Sequence, residues 1–280
     1  MVSLGEHQFL TEMAEPQKIG ASSRVATTVL TAVLYALVKG ATAYIHTPWG
    51  VGELLVGIFV PAFLAVVCDT WSVAIGAGLG TFIGDTFFLT PTGSTNPALS
   101  LIAGVPANFI AFLLFGWFVK KYKSWGSFVA ATLSFVTLGN LIAGASITFF
   151  GASVFTAVGP LVAAYPAEAL VFGFTVFWSL TMIPFIIILV PILVRAVLPL
   201  KGRSSILTYF PDWTDRGVRT PLLATLLLAV ALIVIIVLYL PGVTGLAGYS
   251  GLTDDIALGI VGLVIVVPVA ATMVTAGRKS

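Results

Sequence analysis

The chain has 280 residues, of which 59% are hydrophobic and only 9% charged, and its formal net charge is +2. Globular domains carry roughly 25% charged residues, so this composition excludes an ordinary soluble domain and points to a lipid bilayer as its surroundings. The lone cysteine, Cys68, excludes an intrachain disulfide, and His7 and His46 in no HxxH or CxxC spacing leave no expected metal site.

Residues 1–23 hold Glu6, Glu12 and Glu15 without an apolar run, which reads as a cytoplasmic tail and not as a secretory signal peptide. About 20 apolar residues cross a bilayer as a helix. By that measure the chain offers eight spans: 25–45, 51–68, 71–89, 97–119, 125–150, 169–195, 220–241 and 256–276. The expected fold is an all-α integral membrane protein. A six-helix core over 24–197 is followed by a cytoplasmic loop at 198–219, and 220–280 adds a two-helix hairpin and tail.

In that count twelve of the thirteen basic residues fall on one side, from Lys18 and Arg24 through Lys120, Lys121, Lys123 and Arg195 to Arg278 and Lys279. The positive-inside rule makes that side cytoplasmic, with both termini inside and the chain in the cell membrane. The exception, Lys39, lies fifteen residues beyond Arg24, about 22 Å along the first span and in its outer half.

Within the spans, Ser72, Gly76, Gly80 and Gly84 recur every fourth residue and Asp85 follows the last glycine. Such a stripe lets a second helix approach closely. The first span carries a similar stripe, Ala32, Ala36 and Gly40, able to take a partner inside the bundle or from another subunit. An ionisable side chain at membrane depth is costly and marks a functional site by default. The spans bring Lys39, Glu53, Asp85, Asn96 and Glu168 to the outer half, with Asn108, Asn140 and Trp178 nearer the midplane. Polar groups converging from several helices make an outward-facing solute cavity, with Trp49, Phe82, Phe149 and Trp178 as apolar walls. Outside a ligand role, Lys39 either snorkels outward along the first span or pairs with Glu53 or Asp85, and Asn108 and Asn140 serve equally well as interhelical hydrogen-bond glue.

The run Gly76-Ala-Gly-Leu-Gly80-Thr-Phe-Ile-Gly84-Asp85, then Asn96-Pro97, Gly104-Val-Pro-Ala-Asn108 and Gly116-Trp-Phe-Val-Lys120-Lys121, resembles the substrate-binding S components of energy-coupling factor (ECF) transporters. The resemblance covers residues 25–197. It implies capture of a vitamin-like solute from outside, with a transmembrane coupling subunit and two ATPase subunits as partners. Ala32, Ala36 and Gly40 would then be the docking stripe for the coupling subunit. The hairpin at 220–277 departs from the family, whose members have six helices. The chain has no GxxxxGK[ST] phosphate loop, so ATP hydrolysis belongs to other polypeptides.

The cavity inventory of Glu53, Asp85 and Glu168 against Lys39 leans anionic, which favours a neutral or cationic solute. A stand-alone ion-coupled carrier is the alternative, with proton coupling through Asp85 or Lys39. With no HExxH motif, no adjacent Glu pair and no histidine in a span, no enzyme is expected, and neither a cofactor nor a nucleic-acid partner is implied.

Overall fold

The structure, a computed structural model, describes residues 19–42, 44 and 51–211, with single positions at 266, 268, 270 and 273. Every regular element among the described residues is helical. Five helices are long and apolar enough to cross a membrane: α1 (Ala21–Ala41), α3 (Thr70–Thr92), α4 (Pro97–Tyr122), α5 (Trp125–Val154) and α7 (Ala167–Leu200). Two shorter ones, α2 (Val56–Val67) and α6 (Val158–Ala164), complete the set.

Local chemistry sets the ends of these helices. Asp69 caps α3 by accepting from the Ser72 amide at 3.0 Å and the Ser72 hydroxyl at 2.6 Å. Asn96 caps α4 through the Leu99 amide, and Pro97 fills the first helical position, where no N–H is needed. The Asn96 side-chain amide also donates to the Val154 carbonyl, tying the start of α4 to the end of α5. Lys123, in the left-handed region at φ 47°, ends α4, and a reciprocal Ser124–Ser127 capping box starts α5 directly after it.

The α3 glycines meet α1, and the two helices run parallel. A β-carbon on Gly76 would come within 2.6 Å of the Thr28 carbonyl oxygen, and one on Gly80 within 2.8 Å of that of Ala32. One on Gly84 would lie 3.5 Å from the Ala36 α-carbon, and one on Gly40 within 2.6 Å of the Phe88 ring. The pairs advance four residues at a time on both helices, so two small-residue stripes interlock in a single register. The face formed by Ala32, Ala36 and Gly40, expected to dock a coupling subunit, is therefore taken by α3 of the same chain. The opposite side of α1 presents Val25, Val29, Val33 and Leu37 outward, as a lipid-facing helix does.

Three differences from the expected spans have physical reasons. The second span, expected over 51–68, is helical only from Val56 to Val67, about 18 Å, too short to cross as a helix on its own, and non-helical residues 51–55 complete the return from the cavity end. Gly52 adopts φ +78° against the Trp178 ring, where a β-carbon would meet a ring atom at 2.7 Å, so the segment before α2 folds inward and not into a helix. The loop expected over 151–168 contains α6. The final segment of the core continues past Val197 as a 3-10 turn, Leu198–Leu200. Beyond it the Thr208 and Tyr209 amides donate to the Val67 carbonyl, fastening the chain under α2. The expected spans 220–241 and 256–276 lie outside the described residues, apart from the four single positions, which are helical.

The described basic residues other than Lys39 gather at one end of the bundle. Lys120 donates to the Cys68 carbonyl and, at 2.9 Å, to the Thr70 hydroxyl, which places the end of α4 against the turn between α2 and α3. Arg24 lines a groove with Asp69, Trp71 and Ser72 at that same end. Lys39 and Asp85 stand at the opposite end.

Candidate solute site

Near the end opposite the basic residues, the α1–α3 register brings Lys39 to Asp85, and the inward-folded segment before α2 brings Glu53 to both. The Lys39 ammonium is hydrogen-bonded to Asp85 Oδ1 and lies 3.6 Å from Glu53 Oε1. All three residues are at most 5% exposed. Charges at that burial persist only when paired and hydrogen-bonded. Asp85 meets that requirement: its second oxygen accepts from the Ser100 hydroxyl at 2.5 Å. Glu53 is held more loosely, with Ser94 Oγ at 3.3 Å from Oε2. The backbone carbonyl of Glu53 accepts from the Trp178 indole N–H at 3.1 Å, which fixes the segment against α7.

These groups border a cavity of about 70 Å³ lined by α1–α5, α7 and the segments around Glu53 and Ser94. Lys39, Glu53, Asp85, Asn108, Asn140 and Trp178 all line it. Its volume accepts a few waters or a solute of a few heavy atoms, well below the 300–1,000 Å³ of pockets for drug-sized ligands. Three helices reach it through wide π turns: Asp85–Leu89 in α3, Ser100–Gly104 in α4 and Thr132–Val136 in α5. Asp85, Ser100, Gly104 and Val136 of those turns are lining residues. Such turns are rare and recur at functional sites, where they re-aim side chains that a regular helix would direct elsewhere.

The remaining expected residues separate from this group. Glu168 is exposed in the first turn of α7 and does not line the cavity; it lies on the outer side of that turn, whose Ala169 and Leu170 are the residues packed into the bundle. Phe149 is 64% exposed, Phe82 is half-buried outside the lining, and Asn96 works as a cap. Trp49 lies outside the described residues. Asn108 and Asn140 are glue and lining at once. The Asn108 amide donates to Thr81 Oγ1 at 2.9 Å and to the Gly104 carbonyl, and that of Asn140 to Ser179 Oγ at 3.1 Å.

Sequence reasoning missed Ser94, Ser100, Ser179 and Met182. Ser100 carried a legible signal, as a hydroxyl four residues past the Asn96 cap at the depth of Asp85. Ser94 became relevant only through the inward fold of residues 51–55. Among the described residues no group of three or more His, Cys, Asp or Glu could hold a metal ion. No protein-family model, curated protein or solved structure matches the chain.

Proposed function

We propose that the protein is a membrane transport protein that binds a small polar solute in the cavity beside Lys39, Glu53 and Asp85. The observation that carries this reading is a buried, mutually paired charge cluster bordering a cavity within a bundle of apolar helices. Ionisable groups inside a membrane protein are costly, face cavities and mark solute or ion paths. Trp178 supplies one aromatic wall, and the lining amides and hydroxyls supply orientation.

Eight spans, cytoplasmic termini and a plasma-membrane location belong to this proposal. The basic end faces the cytoplasm and the cavity end the outside, so the protein takes solute from outside. Its first form is the one the ECF resemblance implies, a capture subunit working with a coupling subunit and two ATPases. A coupling subunit would have to dock elsewhere than on Ala32, Ala36 and Gly40, which α3 covers. The cavity volume also restricts the solute to something smaller than a vitamin unless the helices part.

The alternative, a stand-alone ion-coupled carrier, has its own support in two carboxylates sharing one lysine at the cavity wall. One experiment separates the two: purification from the native host, with identification of bound small molecules and subunits, beside uptake measured with a protonophore. A co-purifying ATPase pair supports the ECF form. Uptake that stops with the protonophore and needs no ATPase supports the carrier, and absence of any solute-dependent stabilisation overturns both.

A further inference from the structure

The polar atoms left open to the cavity are mostly acceptors. The hydroxyl donors of the lining are committed: Thr81 to the Ala77 carbonyl, Ser94 to Glu53, Ser100 to Asp85 and, at 3.5 Å, Thr95 to the Asn96 carbonyl. Both amide N–H groups of Asn108 are committed, to Thr81 and Gly104, and one of the two on Asn140 is committed to Ser179. Lys39 is held between the two carboxylates. Beside one Asn140 N–H and one ammonium hydrogen of Lys39, what remains is the loosely held Glu53 carboxylate and the carbonyl oxygens of Asn108 and Asn140, on the walls of one small space with the Trp178 ring.

The charges point the same way. One lysine faces two carboxylates, so the ionised cluster carries one surplus negative charge in a setting from which water is largely excluded. A buried charge needs a partner. Asp85 has both its oxygens engaged by short contacts, and Glu53 has contacts of 3.3 and 3.6 Å only. Glu53 is therefore the carboxylate that has to take up a compensating charge, a proton or a bound cation.

We infer that the occupant of this cavity is a small monovalent cation, with the Glu53 carboxylate as its counter-charge and the Asn108 and Asn140 carbonyls as its acceptors. This rests on reading the cavity as the solute site and names the class of solute. An organic ammonium or amidinium group fits best, because it brings N–H donors to the three acceptors and a cationic face to Trp178. Dianions and carboxylates are disfavoured by the same surplus charge. A cation seated at Glu53 also competes with Lys39 for that carboxylate, so loading the site shifts Lys39 fully onto Asp85.

The test uses the full chain in detergent or nanodiscs, followed by thermal stabilisation and calorimetric titration. The probes are ammonium, methylammonium and guanidinium chlorides, sodium and potassium chlorides, and the neutral formamide, acetamide and urea. Ionic strength is held with N-methylglucamine chloride, which is too large for the cavity. The expected result is saturable stabilisation by a small organic cation, weakened roughly a hundredfold in Glu53→Gln. If Glu53→Gln does not fold, Glu53→Asp keeps the charge on a shorter stem and should bind the cation measurably more weakly. Binding of sodium or potassium alone would keep the monovalent charge and overturn the organic assignment. Neutral probes that bind wild type and Glu53→Gln equally would overturn the cation inference and leave the solute site standing. Met182→Trp, which fills the cavity, should abolish binding of every probe. Undiminished binding in that variant, or no saturable binding of any probe to wild type, would overturn the solute site itself.

Discussion

Gly80 on α3 sits so close to Ala32 on α1 that a β-carbon at position 80 would come within 2.8 Å of the Ala32 carbonyl oxygen and 3.1 Å of its α-carbon. The obstacle is backbone, which cannot rotate away, so a side chain there must push the two helices apart. Gly80→Ala is expected to cost about 1–3 kcal/mol, and Gly80→Leu to prevent recovery of folded protein. Gly159→Ala in α6 meets nothing within 4 Å and should be neutral or stabilising by up to about 1 kcal/mol. Size-exclusion profiles and Tm values in one detergent check the contrast. A Gly80→Leu protein that elutes and melts like wild type would remove the account of the α1–α3 seam.

That seam was half legible in the sequence. Four-residue spacing marks a bare face on α1 and another on α3, but spacing alone does not say which helix a face meets. The parallel run of α1 and α3 decided it, and it also decided the site: a register that puts Gly84 on Ala36 brings Lys39 to Asp85. The spans and the basic end were readable because length and charge act locally along the chain. The inward fold of residues 51–55 was not, because it depends on Gly52 at φ +78° fitting the ring of Trp178, whose indole also holds the Glu53 carbonyl 125 residues away in the chain. Glu168 was misplaced for a related reason, since depth along a span does not fix which way a side chain faces.

Replacing Lys39 with methionine keeps the volume of the stem but strips both carboxylates of their counter-charge. Breaking a buried ion pair from one side costs about 3–5 kcal/mol, and the Lys39–Asp85 contact is buried on both partners. Lys39→Met should therefore lower the Tm sharply. Adding Asp85→Asn to it should recover part of the loss, because the amide has no charge to neutralise. A double variant less stable than Lys39→Met alone would contradict the pairing.

Trp178→Phe removes the indole N–H that holds the Glu53 carbonyl while keeping an aromatic ring at the cavity wall. The lost hydrogen bond is worth about 1 kcal/mol, and the space left beside Gly52 adds a packing loss of similar order. Solute affinity should fall as well, because the segment that carries Glu53 loosens. Trp117→Phe offers a comparison: that ring is 47% exposed and its main polar partner is the Lys121 ammonium, 4.6 Å from the ring centre. Its loss should cost roughly 0.5 kcal/mol and leave solute binding unchanged. Equal effects of the two substitutions on binding would separate Glu53 from Trp178.

Orientation in the membrane can be read with the native cysteine as an internal blank. Cys68 is fully buried between α2 and α3, so a membrane-impermeant maleimide should leave wild-type protein unlabelled until detergent denatures it. Lys121 and Ser153 are both exposed, at opposite ends of the bundle: Lys121 ends α4 beside the basic cluster, and Ser153 ends α5 on the cavity side. The positive-inside rule sends the basic end to the cytoplasm. In intact cells Ser153→Cys should then react with the maleimide, and Lys121→Cys only after permeabilisation. Neither position contacts the Lys39 cluster, so both variants should keep the wild-type Tm. The reverse labelling pattern would turn the cavity toward the cytoplasm, and a solute captured beside Glu53 would then be one the cell exports.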